Sequence, residues 1–255
     1  MGEKQLKRRQ KYKRTPMPTT TGEKRIYSKI LDFLLPKFCV HCGKYGHYLC
    51  QECYNQINFV KTHLCPYCRR SSVGGLTHPG CLTKYAINGI YSAAFYKGPI
   101  RSLIKTLKYH PFPFRVYEEI EIILKRYFTD QERFFPKEAV IIPIPMHPEK
   151  KKKRKFNQSQ LIANTLQSIW KNPLQDEILI RTRRGRVQAG LSRRQRYQNV
   201  RGLFQIHPQK RKLVEGNSFI LVDDIVTSGA TLKWCAFLLK KNRAGKVWGV
   251  TLARD

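Results

Sequence analysis

Acidic side chains are scarce. Only 17 Asp and Glu stand against 49 Lys and Arg in 255 residues, a formal net charge of +32. Binding one small anion needs only a few cations. The excess therefore points either to a polyanionic partner, such as nucleic acid, a ribosome or an anionic surface, or to a crowded solvated surface. Long apolar runs are also missing, and none approaches the roughly 18 residues of a membrane span. The basic N-terminus leads into Thr15-Pro-Met-Pro-Thr-Thr-Thr21 and not into an apolar core, so it does not read as a secretory signal. A soluble, cytoplasmic protein is expected. There is no Gly-Lys-Ser/Thr loop and no set of three spaced glycines, which excludes a Walker-type and a Rossmann-type phosphate site. No helix-turn-helix pattern and no obvious nucleophile or general base stands out.

Cysteine is confined. Seven of the eight lie between Cys39 and Cys81, mostly as CxxC pairs, which in a cytoplasmic protein reads as metal binding and not as disulfides. Cys39-Val-His-Cys42 and Cys50-Gln-Glu-Cys53 are separated by seven residues, and Cys65-Pro-Tyr-Cys68 is a third knuckle. The fourth, His78-Pro-Gly-Cys81, has histidine in the first ligand position. Four thiolates, or three and an imidazole, make a tetrahedral zinc site. The spacing predicts one zinc on Cys39, Cys42, Cys50 and Cys53 and another on Cys65, Cys68, His78 and Cys81. Interleaved knuckles, or His78 as an ordinary loop histidine, are the alternatives, so the count is one or two. With no open coordination position implied, the metal is structural. His41, His47 and His63 read as bystanders, and Cys235, alone on a helix, as a core residue.

Three regions follow from the pattern. Residues 1–25 form a basic, Pro/Thr-rich tail without the apolar content to fold alone, expected to be disordered. It is either a nucleic-acid contact or a solvated arm. Residues 26–84 carry a short amphipathic helix, Ile26 to Phe38, and the zinc module. Residues 85–255 alternate strands and helices. Strands are expected over Ile87 to Tyr96, Ala139 to Ile142, Glu177 to Ile180, Leu203 to Ile206, Phe219 to Val222 and Val247 to Leu252. Helices are expected over Pro99 to Lys108, Tyr117 to Phe128, Phe156 to Trp170 and Leu232 to Lys241. That alternation argues for an α/β domain, a mostly parallel sheet with helices on both faces.

One stretch carries the chemistry. Phe219 to Val222 is apolar throughout, as in a strand covered on both faces. Asp223 and Asp224 stand where it ends, and Thr227-Ser-Gly-Ala-Thr231 leads into a helix. A loop of small hydroxyl residues at a helix N-terminus aims backbone N–H groups and hydroxyls at a phosphate. The acids before it suit the hydroxyls of a sugar, or a magnesium ion. A sugar phosphate fits both. Val140-Ile-Ile-Pro-Ile-Pro145, Met146 and His147 turn at the same predicted sheet edge and precede Lys150-Lys-Lys-Lys-Arg-Lys155. Backbone N–H groups there, with nearby Lys or Arg, would hold a second anion, and the lysine run reads equally as part of that contact or as a solvated face or nucleic-acid patch. Arg181 to Phe204, dense in Arg and Gln, reads as a mobile basic flap or a nucleic-acid arm.

Acids, hydroxyl loop and helix together resemble the 5-phosphoribosyl diphosphate (PRPP) signature of the type I phosphoribosyltransferases. Further stretches sharpen this: the knuckles, Pro143-Ile-Pro145, Lys155-Phe-Asn-Gln158, and Gln188-Ala-Gly-Leu191 with Arg196, Asn199, Gly202 and Phe204. In this order they resemble the ComF family, in which a zinc-ribbon-type module precedes a phosphoribosyltransferase domain. The resemblance runs from about Cys39 to the C-terminus. It departs in His78, where a cysteine is often found, and in Arg154-Lys-Phe-Asn-Gln158, where the family usually has Arg-Gly-Phe-Asn-Gln.

The resemblance implies PRPP with Mg²⁺ as ligand. Asp223 and Asp224 would hold the ribose hydroxyls and Thr227, Ser228, Gly229, Ala230 and Thr231 the 5-phosphate. Pro145, Met146 and His147 would hold the diphosphate, with Arg196 on a closing flap. The implied activity is phosphoribosyl transfer to an unidentified acceptor, in DNA uptake alongside competence helicase and uptake proteins. The alternative is a non-catalytic module for single-stranded DNA with PRPP or a nucleotide as regulatory ligand. A phosphoribosyltransferase-like transcription regulator is a third reading, and it would need an operator-binding element.

Overall fold

The structure is a computed structural model that describes residues 36–109, 113–182 and 200–255. The basic tail, nearly all of the helix expected over Ile26 to Phe38, and Arg196 with most of its flap lie outside the described residues. The chain divides into two units, residues 1–37 and residues 38–255. All of the elements below belong to the second.

Four apolar runs form one parallel sheet. They are β3 (Gly89–Phe95), β4 (Val140–Pro143), β7 (Phe219–Val226) and β8 (Val247–Arg254), in the order β3-β8-β7-β4. The register sets Ile141 beside Ile220, Leu221 beside Gly249 and Val250 beside Tyr91. Side chains alternate between the faces of a strand, and both faces here need cover. Ile220, Val222, Val250 and Leu252 pack with α2 (Gly98–Tyr109), α3 (Pro113–Phe128) and α5 (Gln158–Trp170) through Leu103, Ile104, Ile120, Leu124, Ile162 and Leu166. Phe219, Leu221 and Val247 pack on the other face with α6 (Ala230–Lys241), through Leu232, Cys235 and Leu239. Cys235 is fully buried there. Gly249 lets α6 approach, since a Cβ at that position would lie 2.9 Å from Leu232 Cδ1.

The cysteine-bearing segment closes the β3 edge. Val60 N–H donates to Ala93 O, Phe95 N–H to Asn58 O and Thr77 N–H to Asn88 O, and Phe59 bridges antiparallel to Ala94. It contributes α1 (Gln51–Asn55) and the short pair β1 (His63–Leu64) and β2 (Ser71–Ser72). Leu49, Tyr54 and Ile57 belong to the same buried cluster as Leu103 and Ile120. His63 is part of this packing, with its ring tilted 35° against that of Tyr91 at a centroid distance of 3.8 Å.

Three expectations are corrected. The strands at 177–180 and 203–206 do not join the parallel sheet. They form a separate antiparallel ribbon, β5 (Leu179–Arg181) with β6 (Phe204–Ile206), on the α6 face. Antiparallel pairing lets two neighbouring strands meet directly, as Leu179 does with Ile206 and Arg181 with Phe204. The helix expected from Phe156 starts at Gln158, because Asn157 Oδ1 accepts from Ser159 N and caps it. The lysine run before it is a helix of its own, α4 (Pro148–Arg154), capped by His147. Finally, β7 does not end at the acids. Because β8 runs to Arg254, the ladder continues through Asp223 beside Thr251 to Val226 beside Arg254.

Candidate functional site

Asp223 and Asp224, adjacent near the C-terminal end of β7, meet different partners. Asp223 Oδ1 accepts from the hydroxyl of Ser159, on the first turn of α5, at 3.0 Å and from the backbone N–H of Asp224 at 2.9 Å. Burial, followed by the charge of Asp224, raises the Asp223 carboxyl from the usual range to about 7. The two hydrogen bonds and Lys108 oppose that rise without cancelling it. Asp224 faces α2, where Lys108 Nζ lies 2.6 Å from its Oδ2.

The loop after β7 turns on one glycine. Gly229, with φ of 73°, supplies the left-handed turn that opens α6, a conformation costly for any residue with a Cβ. Ser228 Oγ accepts from Ala230 N, and Lys233 Nζ donates to Ser228 O. Both acids and all of Thr227 to Thr231 line one cavity of about 520 Å³. Tyr96, Arg101, Lys108 and Asp255 also stand in its wall. A volume of that order suits a compact organic ligand.

Pro145, Met146 and His147 leave the sheet at the same edge, since β4 is the neighbour of β7 and Ile144 N–H donates to Val222 O. They are not among the residues lining the cavity. His147 Nδ1 accepts from Glu149 N, as the cap of α4. Asn157 ties this turn to α5 by donating to Ile144 O. Sequence reasoning missed Lys108, Arg101, Tyr96 and Ser159. The seven-residue spacing of Arg101 and Lys108 on a helix was the available signal for a shared face.

The sulfurs of Cys39, Cys42, Cys50 and Cys53 lie within 4.8 Å of one another, and so do those of Cys65, Cys68 and Cys81. His78 is outside this second group as a whole, but its Nδ1 lies 3.2 Å from Cys68 Sγ. Its Nε2 is 3.0 Å from Ser71 O, the second-nitrogen contact that orients a metal-bound imidazole. Both CxxC turns repeat one backbone pattern. Gly43 N–H donates to Cys39 O and Arg69 N–H to Cys65 O, each from a left-handed residue. Burial and the neighbouring thiols push the Cys53 thiol up, a strain that a divalent cation relieves. The donor sets fit structural zinc.

Comparison with known proteins supports the same reading of the cysteines, since residues 30–82 match the double zinc ribbon domain. Competence protein F of Haemophilus influenzae is 27% identical over 225 residues, 84% of this chain and 96% of the relative. Competence protein ComFC of Bacillus subtilis is 27% identical over 219 residues, covering 81% and 84%. DNA utilization protein YhgH of Shigella flexneri is 31% identical over 212 residues, covering 79% of this chain and 88% of the relative. The chain belongs to the ComF family.

One departure from the ComF pattern now has a physical meaning. Lys155, where the family usually has glycine, is left-handed at φ 64° and ends α4 through its N–H to Lys151 O. The backbone keeps the glycine conformation with a lysine in place. Lys155→Gly should therefore raise stability by about 0.5–1 kcal/mol in a denaturant titration. A loss of stability would show that the lysine side chain offsets the strain.

Among the described residues, no helix is long and apolar enough to cross a membrane.

Proposed function

We propose that this ComF-family protein binds PRPP with Mg²⁺ and transfers its phosphoribosyl group to an acceptor, in the handling of DNA during natural competence. The observation that carries the reading is that the acid pair and the entire hydroxyl loop line one cavity. A 5-phosphate would sit on the N–H groups and hydroxyls of Thr227 to Thr231, at the N-terminus of a twelve-residue helix. Asp223 and Asp224 would accept from the ribose hydroxyls. The bond between C1 and the diphosphate oxygen breaks as the acceptor bonds to C1, and the diphosphate leaves with the electron pair. Magnesium, when bound, would neutralise charge on the leaving oxygens. The turn Pro145 to His147 and the flap bearing Arg196 stand as the diphosphate side of this reading. A cytoplasmic location goes with it, because PRPP and competence partners are met there.

A non-catalytic nucleic-acid module is the second reading. It is favoured by the exposed basic residues Lys150 to Lys153 of α4 and by relatives named for DNA utilization. The discriminating measurement is calorimetric titration of Mg–PRPP into the wild type and the Asp223→Asn/Asp224→Asn variant. Saturable binding that the variant loses is the expected result. A folded, zinc-loaded wild type that takes up no PRPP would sink the enzyme reading.

A further inference from the structure

The strongest contact in the cavity was not foreseen. Lys108 Nζ lies 2.6 Å from Asp224 Oδ2, with side chains only 21% and 16% exposed. Both residues line the cavity. The other cation in the described wall, Arg101, is seven residues earlier on α2, about 10 Å away along the helix. Among the described residues Lys108 is the cation of the cavity wall that forms an ion pair with the acids, while the half-buried Arg181 guanidinium feels the charge of Asp223 from outside that wall.

Such a pair is awkward if the acids serve only a neutral sugar. An ammonium on Asp224 occupies an oxygen that ribose hydroxyls need, and it repels any divalent cation approaching that carboxylate. The ligand's own geometry resolves the conflict. Hydroxyls on C2 and C3 held by the acids bring the neighbouring C1, and whatever anion it carries, within the reach of the same lysine. Lysine is a mobile point charge on a flexible stem, suited to passing from one anion to another.

We propose that Lys108 is the residue that selects for an anionic group at C1. It neutralises Asp224 in the empty site and transfers to the diphosphate when the ligand seats, freeing Asp224 for the sugar. This rests on the PRPP reading above and adds to it a residue and a discrimination between ligands. The 5-phosphate is held by the loop and does not involve Lys108.

The test titrates Mg–PRPP and ribose 5-phosphate into the wild type, Lys108→Gln and Lys108→Met, with Lys246→Gln, exposed just before β8 and so at the far end of the sheet, as control. Lys108→Gln and Lys108→Met should bind PRPP about tenfold or more weakly, the loss of one charge-assisted contact, and ribose 5-phosphate within about twofold of the wild type. Lys246→Gln should match the wild type for both. Equal losses on both ligands would make Lys108 merely structural, and no loss on either would remove it from the site. Both outcomes overturn the proposal. A wild type that binds no PRPP overturns the proposed function itself, so the two failures are distinguishable.

If the single Lys108 variants fail to fold because Asp224 is left uncompensated, a second comparison removes both charges together. Asp224→Asn should bind inorganic diphosphate more tightly than the wild type, because its lysine is released. Asp224→Asn/Lys108→Met should lose that gain. Equal diphosphate affinity in the two would overturn the transfer.

Discussion

Asp223→Asn should stabilise the fold by about 2 kcal/mol at pH 8 while weakening Mg–PRPP binding about a hundredfold. The folded carboxyl titrates near 7 because burial and Asp224 disfavour its charge, whereas an unfolded chain releases that proton near 3.8. Between those values the folded state holds a proton that the unfolded state has lost. Stability contributed by the protonated form is therefore complete below about pH 4. It declines as pH rises to about 7 and stays low above that. The full shift would convert to roughly 4 kcal/mol at 1.36 kcal/mol per unit. Half of that is used because the cavity admits water and the ion pair of Asp224 with Lys108 screens the site. Asparagine keeps an acceptor for Ser159 and removes the charge.

Binding runs the other way. An ionised pair is what sugar hydroxyls and magnesium need, so wild-type affinity should rise several-fold between pH 6 and pH 8, with proton release below pH 7. Thermal melts across pH 4–9 and calorimetry in two buffers of different ionisation enthalpy read both effects. A variant no more stable than the wild type at pH 8 would mean that Asp223 is not held against its charge.

Cys53→Ser should be the most destabilising of these substitutions, at about 3–5 kcal/mol, with loss of one zinc per chain by metal analysis. Cys39, Cys50 and Cys53 are buried in the cluster that contains Leu103 and Ile120, so losing the metal loosens residues on both sides of the module boundary expected from the sequence. Cys81→Ser, in the more exposed second cluster, should cost less. Its effect should instead fall on ligand affinity. Tyr67, between Cys65 and Cys68, lies under Lys233 at 4.8 Å, and Lys233 holds the carbonyl of Ser228 in the hydroxyl loop of the proposed site. Unchanged melting of Cys53→Ser, with and without chelator, would show that the fold does not depend on that zinc.

Much of the α/β organisation was legible because it is written in local periodicity. The apolar run at 219–222, the helical stripe of Ile162, Leu166 and Trp170, and the CxxC spacing each identify an element without reference to the rest. What was hidden depends on partners remote in sequence. The ladder beyond Asp223 exists because β8 continues to Arg254, a fact about residues 247–254 and not about the acids. Tyr96 and Lys108 reach the cavity, and Ser159 reaches Asp223, from segments more than sixty residues before the loop, and no local pattern says which strand end they meet. The ribbon of β5 and β6 was misplaced because a short alternating run says that it is a strand but not which strand it meets. Lys155 shows the reverse case, in which a residue without the usual freedom adopts the conformation because Asn157 and the start of α5 fix the chain on its other side.

The cover over β3 bears on how the protein is made. An outermost strand with its peptide groups bare is a template for the next chain, and cells guard against such rims. Here the guard is synthesised first. Residues 38–84 leave the ribosome before β3, and well before β8 arrives to pair with its other side. A nascent chain that has met zinc carries its own shield when the strand emerges. One made under metal starvation should present an open rim through its remaining synthesis, so scarcity of the ion is expected to show as precipitation of the chain.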